Sequence, residues 1–296
     1  MDVFAAFIAP ALAGVFVGVM SGLLGVGGGT IMVPIFRLAF GMSPLASTAT
    51  SLFAIIPTSI SGVVAHTRAK TCVPRLGLAL GVGGAVMSPV GVWLASVSPG
   101  WLVICVAAVV IGFSAFKMFK KAVKCAPAPR AGQADAARTA GPNAAESQTA
   151  CAGAASAHSA APKPVPDQPV LSRKQYLQGA CIGLVAGLAS GYVGVGGGFI
   201  MVPLMLAVLD IPMSLASGTS LIAIMILAIP GVIEQGLLGN IDYLAGIAIV
   251  VGSIPGALVG ARLVRVVPER QLRFIFGGFL LVAAVMLMLN EFGILG

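Results

Sequence analysis

The chain has 296 residues, 58% of them hydrophobic and only 9% charged, and its mean hydropathy of +1.04 excludes an ordinary soluble domain. The 17 Lys and Arg exceed the 9 Asp and Glu by a net charge of +8, but these basic residues lie in loops between apolar runs with no aromatic-basic surface, which excludes nucleic acid as a partner and fits orientation in a lipid bilayer. Five scattered cysteines (Cys72, Cys105, Cys125, Cys151, Cys181), no Cys-x-x-Cys pair and two histidines support neither a metal cage nor a disulfide framework, so no metal or other cofactor is expected.

The apolar runs are long, lack period-2 alternation and are rich in Ala, Leu, Gly and Ile, so they read as membrane helices rather than barrel strands. The first covers residues 4–24; no Lys or Arg precedes it, so it is expected to be a membrane helix and not a secretory signal. Gly14, Gly18 and Gly22 recur along it every four residues and lay down a small-residue groove for close packing of another helix. The helix should then break at Gly25-Val26-Gly27-Gly28-Gly29, because each glycine costs a helix about 1 kcal/mol against alanine and frees the backbone to turn and to approach a ligand. A short apolar piece at 31–40 follows, then a turn at Gly41, Ser43 and Pro44 and a helix at 45–64. His66, Arg68, Lys70 and Arg75 are expected in the next loop, ahead of helices at 76–94 and 101–119.

From 120 to 173 the composition shifts to Ala, Pro, Ser and Gly with basic residues at both ends, which reads as a disordered linker. The chain thus divides into a first repeat (1–119), the linker (120–173) and a second repeat (174–296). The second repeats the first at a constant offset of 169 positions, taking Pro34 to Pro203, Thr50-Ser51-Leu52 to Thr219-Ser220-Leu221 and Gly91 to Gly260. Its helices are expected at 175–193, 215–233, 243–263 and 272–289. The fold class expected is all-α: a polytopic membrane protein of two homologous halves, each with four full helices plus a glycine-broken segment.

Two arrangements fit this pattern. If the glycine-led segments only dip into the bilayer, the halves are parallel, four crossings plus four, and the basic loops fall on both sides. If each segment of about 16 residues crosses, part extended and part helical, the halves are inverted, five plus five. With the linker cytoplasmic, Arg68, Lys70, Arg75, Arg262, Arg265, Arg270 and Arg273 then share its side, and of the basic residues only Arg37 lies outside. The inverted arrangement is preferred.

Inverted repeats with discontinuous helices are the pattern of secondary transporters, whose site lies where the broken segments meet. Gly27, Gly28, Gly29 and Thr30, with Gly196, Gly197, Gly198 and Phe199, would present helix N-termini whose unpaired N–H groups suit a small anionic solute; the plainer alternative is that the glycines only allow close packing. The hydroxyls of Thr50, Ser51, Thr219 and Ser220, early in the helices that follow, could donate to substrate oxygens or satisfy local backbone. Arg37 is a possible charge partner for the anion, unless it snorkels to the surface. His66 and Glu234 lie near matching helix ends, where proton coupling competes with an ordinary solvated role. Arg262, Arg265, Arg270 and Arg273 are read as topology signals.

The recurrent Gly-Val-Gly-Gly-Gly-x-Ile-Met-Val-Pro motif, followed in each half by Thr-Ser-Leu, resembles the sulfite exporter TauE/SafE family, also called the 4-toluene sulfonate uptake permease family. The resemblance covers both halves and leaves out the linker. It implies a permease of bacterial inner-membrane type that moves small sulfur-containing or organic anions such as sulfite or sulfonates, and its positions carry over onto Gly27 to Thr30 with Thr50 and Ser51, and Gly196 to Phe199 with Thr219 and Ser220. That family is often described with seven or eight spanning helices, so the expected ten crossings depart from it at the glycine segments. The function expected is alternating access at a midplane site. An anion channel and a non-transporting structural subunit are the rivals; an enzyme is disfavoured because no Ser-His-Asp, Cys-His or metal-ligand cluster falls within the apolar segments.

Overall fold

The computed structural model describes residues 3–38, 40–99, 102, 109, 112–116, 173–193 and 196–291, and among them it is helical with no strand. The helices are α1 (Val3–Leu24), α2 (Gly29–Leu38), α3 (Pro44–Arg68), α4 (Pro74–Val97), α5 (Arg173–Val193), α6 (Gly198–Leu204, continued by a π-type turn over Met205–Leu209), α7 (Met213–Leu237), α8 (Tyr243–Leu263) and α9 (Glu269–Glu291). Residues 102, 109 and 112–116 are also helical, but the remainder of the helix expected at 101–119 and the linker up to 172 lie outside the described residues. Arg173 and Lys174 open α5 rather than closing the linker. Among the described residues four helices are long and apolar enough to cross a bilayer, Leu45–Arg68, Pro74–Leu94, Met213–Leu237 and Tyr243–Leu263, and the protein is a multi-pass membrane protein.

The repeat is visible in the elements themselves, since α3 and α7 begin and end at positions related by the offset of 169. Local chemistry sets these limits. Ser43 Oγ accepts from the Ala46 N–H at 3.3 Å and Pro44 takes the first helical position, where its missing N–H costs nothing. Just past the C-terminal ends, Lys70 (φ 55°) and Gly239 (φ 71°), again at matched positions, turn left-handed and stop the helices. The helix expected at 45–64 therefore runs one turn further, and His66 and Arg68 belong to α3 and not to the loop after it.

Each half packs mainly on the other. The groove of Gly14, Gly18 and Gly22 on α1 is filled by α8, where a Cβ on any of the three would run into the backbone of Ile249, Ser253 or Ala257. On α5, Gly183, Gly187 and Gly191 meet Leu80, Gly84 and Ser88 of α4 in the same register. Such reciprocity, in which Gly14 meets Ile249 while its counterpart Gly183 meets the counterpart Leu80, is the signature of a two-fold relation between halves. Backbones approach this closely because, with lipid as solvent, dispersion between small-residue faces is the principal gain.

The directions of the central helices follow from their contacts. A Cβ on Gly62 would lie 2.7 Å from Leu221 Cδ1 and one on Gly231 would lie 3.3 Å from Leu52 Cδ1, so α3 and α7 run antiparallel. Thr50 meets Asp242 and Ser61 meets the Ile254 carbonyl, so α8 runs parallel to α3. Arg262 at the end of α8 consequently lies at the same end of the bundle as Arg68, and Glu234 near the end of α7 lies at the other. The end of α1 is tied to the end of α3 by His66 Nε2, 2.9 Å from the Gly22 carbonyl oxygen, whereas α2 leads into the start of α3. Residues 25–38 therefore run back along α3, first through left-handed glycines and then as helix α2.

Candidate functional site

Between α1 and α2 the backbone is left-handed at Gly25 (φ 72°), Gly27 (φ 80°) and Gly28 (φ 80°). A side chain there would cost about 1–2 kcal/mol per residue, so the conformation itself asks for glycine. In the second break Gly196 is likewise at φ 81°, but Gly197, the counterpart of Gly28, is right-handed at φ −65°. Gly194 and Val195 lie outside the described residues. The helices restart inside the glycine motif, α2 at Gly29, two residues before the short piece expected at 31–40, and α6 at Gly198. The N–H groups of Ile31 and Met32 donate to Gly28 O, each at 3.0 Å, and those of Ile200 and Met201 donate to Gly197 O at 3.2 and 2.9 Å. The amides of Gly29 and Thr30, and of Gly198 and Phe199, precede those first turns and point out of the helix ends.

The two breaks meet. A Cβ on Gly198 would lie 2.7 Å from both Cα and O of Val26, between Gly25 and Gly27. Ile224 of α7 covers Gly27, with Cγ2 at 2.8 Å from its Cβ position, and Ile55 of α3, at the matched place, lies 3.3 Å from that of Gly196. Val26, Thr30, Phe199 and Met201 are all buried, so the crossing faces the protein interior. Gly27 and Gly198 thus share Ile224 of α7 and Gly196 meets Ile55 of α3 at the antiparallel pair of α3 and α7, whereas Gly28 faces Val17, Ser21 and Met32.

The four predicted hydroxyls contact backbone. Thr50 Oγ1 accepts from the Asp242 N–H and Thr219 Oγ1 from the Val73 N–H, both at 3.0 Å. These bonds are related by the repeat, and each ties the early part of one central helix to the start of a helix in the other half. Ser220 Oγ shares its proton between Gly25 O at 2.6 Å and Ser217 O at 2.8 Å, which anchors the first break, and Ser51 Oγ donates to Thr48 O at 2.8 Å. All four sit in the second turn of α3 or α7, past the helix start.

Arg37 lies in the last turn of α2, about 12 Å along the axis from Gly29 at 1.5 Å per residue, and is not brought to the break. Glu234 is exposed. His66 departs from the solvated placement its helix-end position suggests: it is fully buried, with Nδ1 2.8 Å from Thr71 Oγ1 and Nε2 against the Gly22 carbonyl. That carbonyl only accepts, so Nε2 carries the proton.

Among the described residues three fully buried hydroxyls make no hydrogen bond, those of Ser21, Thr30 and Ser59. Leaving such a group unpaired costs about 1–3 kcal/mol, and serines and threonines in apolar helices normally avoid this by bonding back along the helix, as Ser47, Thr58 and Ser217 do here. Ser21 and Ser59 escaped the sequence reading. Ser21 had a usable signal, since it opens the repeated motif and matches Ser190.

Compared with known proteins, residues 10–287 match the model of the family described as Sulfite exporter TauE/SafE. The chain belongs to that family. TauE/SafE membership bears out the resemblance carried by the doubled glycine motif. The chain is 26% identical to the "Probable membrane transporter protein YunE" of Bacillus subtilis, over 88% of this chain and 89% of the relative. It is 25% identical to the "Probable membrane transporter protein YdhB" of the same organism, over 86% and 89%. A shorter similarity, 34% identical over 36% of this chain and 18% of the relative, joins it to the "Probable membrane transporter protein MamO" of Magnetospirillum gryphiswaldense. No solved structure matches this TauE/SafE chain significantly.

Proposed function

We propose that this TauE/SafE protein is a secondary transporter for small sulfur-containing or organic anions such as sulfite or sulfonates. It binds them at a midplane site between the two broken helices and exposes that site alternately to either side. The observation that carries the reading is the contact of the two breaks, Gly198 against the Val26 backbone, inside the crossing of α3 and α7. Oxyanions need donors, and two helix N-termini supply amides plus partial positive charge. Each terminus contributes typically about 0.3–1 kcal/mol and at most about 2 when partly buried, so the pair holds an anion without trapping it. Thr50, Thr219 and Ser220 then act as struts that keep the termini facing one another.

In this reading the halves lie inverted in the cell's inner membrane, five crossings each, with each glycine-led segment counted as a crossing. The antiparallel course of α3 and α7 supports it, as does the gathering of Arg68 and Arg262 at one end, which becomes the cytoplasmic side together with the linker 120–173. The packing supports alternating access in this reading: the glycine seams of α1 with α8 and α4 with α5 make two exchanged pairs, whose rocking about the α3–α7 crossing would open the breaks to one side or the other. The test is uptake into proteoliposomes of the purified chain, scanned over sulfite, sulfate, thiosulfate and sulfonates with and without a pH gradient. Saturable uptake of at least one of these supports the reading; uptake no faster than in protein-free liposomes for all of them ends it.

A further inference from the structure

We propose, resting on that anion reading, that the two breaks are unequal and that the first supplies the side-chain donors to the oxyanion group, the hydroxyls of Ser21 and Thr30 beside the N-terminus of α2. Helix α2 spans ten residues and Thr30 is its second. Thr30 is 2% exposed and Ser21 1%, and neither hydroxyl has a partner. Ser21 stands beside the helix start: its Cβ is 3.6 Å from the position a Cβ would take on Gly28, the residue before α2. The back-bonding that satisfies Ser47, Ser51, Thr58 and Ser217 is not made by either. Two hydroxyl protons and the amides of Gly29 and Thr30 are therefore available to a group that only accepts.

The second half keeps a serine at the matched place, Ser190, whose Cβ is 3.4 Å from the Cβ position of Gly197, but lacks the threonine. Phe199 replaces Thr30 and is one of the largest fully buried side chains, with no donor to offer. Gly197 is right-handed where Gly28 is left-handed, so the backbone enters α6 differently from the way it enters α2. The second break therefore brings its amides without a side-chain donor at position 199, where Phe199 packs into the apolar core. The donors are neutral and few, which suits a compact oxyanion group of three or four oxygens, either free sulfite or the head of a small sulfonate.

The experiment uses the full chain in proteoliposomes with sodium sulfite and, in parallel, sodium methanesulfonate, on Ser21→Ala, Thr30→Val, Thr30→Ser and Ser190→Ala. Ser21→Ala and Thr30→Val should each raise the half-saturating concentration about tenfold or more, as loss of a hydrogen bond to a charged group does. Thr30→Ser should stay within about threefold of wild type by the same argument, and Ser190→Ala should match wild type. Saturation by sulfite only identifies the free anion as the occupant, and saturation by both identifies the shared oxyanion head. Thermal unfolding separates binding from folding: without anion Ser21→Ala should unfold no earlier than wild type, since it removes an unpaired hydroxyl, yet it should lose the rise in melting temperature that sulfite gives wild type. Equal losses in Ser21→Ala and Ser190→Ala, or no loss in Ser21→Ala and Thr30→Val while wild type saturates, would overturn the unequal site and leave the anion reading standing. No saturation of wild type by either salt removes the anion reading and this inference with it.

Discussion

Replacing Gly198 by alanine puts a methyl group 2.7 Å from Val26 Cα and Val26 O and 2.6 Å from Ile224 Cδ1. Ordinary carbon contacts lie near 3.5–4.0 Å, so all three are short by roughly 0.8 Å or more. Ile224 relieves its share by rotating its terminal methyl, but Val26 offers only backbone, pinned by the Ser220 hydrogen bond to Gly25 O and by left-handed glycines on either side. Overpacking of this kind costs about 1–3 kcal/mol, while alanine recovers less than about 1 kcal/mol of helix propensity at a first-turn position. The net expectation is a loss of about 2 kcal/mol, or a fall in melting temperature on the order of 5 °C, with flux reduced further because the strained contact is the site itself. Gly278→Ala is the control, since nothing among the described residues lies within 4 Å of its Cβ position, and it should be neutral or slightly stabilising. Both variants are scored by thermal unfolding in detergent and by sulfite flux per folded molecule. A Gly198→Ala protein as stable and active as wild type would refute the contact between the breaks.

Thr50→Val and Thr219→Val should each lower stability by about 1–3 kcal/mol, because each strands one N–H at the start of a helix, of Asp242 or Val73, and serine at either position should restore it. Equal losses in thermal unfolding are expected, and a change in half-saturating anion concentration without loss of stability would contradict the strut role. His66→Ala should destabilise by about 2–4 kcal/mol, since it empties a fully buried position and removes the hydrogen bond between the ends of α1 and α3; unfolding at the wild-type temperature would show that this tie carries nothing. In a cysteine-free background, Asn240→Cys in intact cells should react with an impermeant thiol reagent and Thr67→Cys should not, because α3 and α7 end at opposite faces in the inverted arrangement. Labelling of both, or of neither, would favour parallel halves.

Much of this architecture was legible in the amino-acid order. Long apolar runs and a constant offset placed α1, α3, α4, α5, α7, α8 and α9 within a few residues of their ends, and the glycine run placed both breaks, because three adjacent glycines are incompatible with an uninterrupted helix. The four-residue spacing of Gly14, Gly18 and Gly22 announced a close neighbour but not which one. A groove records only the absence of side chains, and that α8 fills it depends on a two-fold exchange between halves. The hydrogen bonds that Thr50 and Thr219 accept from the other half were hidden for a similar reason, since a hydroxyl that receives a distant N–H has the same local sequence as one that faces a solute. The burial of His66 went unseen because Gln235 stands at the matched position, so the repeat gave it no echo, and the charged neighbours Arg68 and Lys70 made it look like part of a loop.

The most direct trial of the central claim is to locate a bound anion. Selenite has the charge and shape of sulfite and a strong anomalous signal, so diffraction from crystals of the full chain soaked in it marks the site by selenium alone. One dominant peak is expected within hydrogen-bonding reach of the Gly29 and Thr30 amides, beside the contact of the two breaks. A dominant peak at the basic loops around Arg68 or Arg262, with none at the breaks, would contradict that claim.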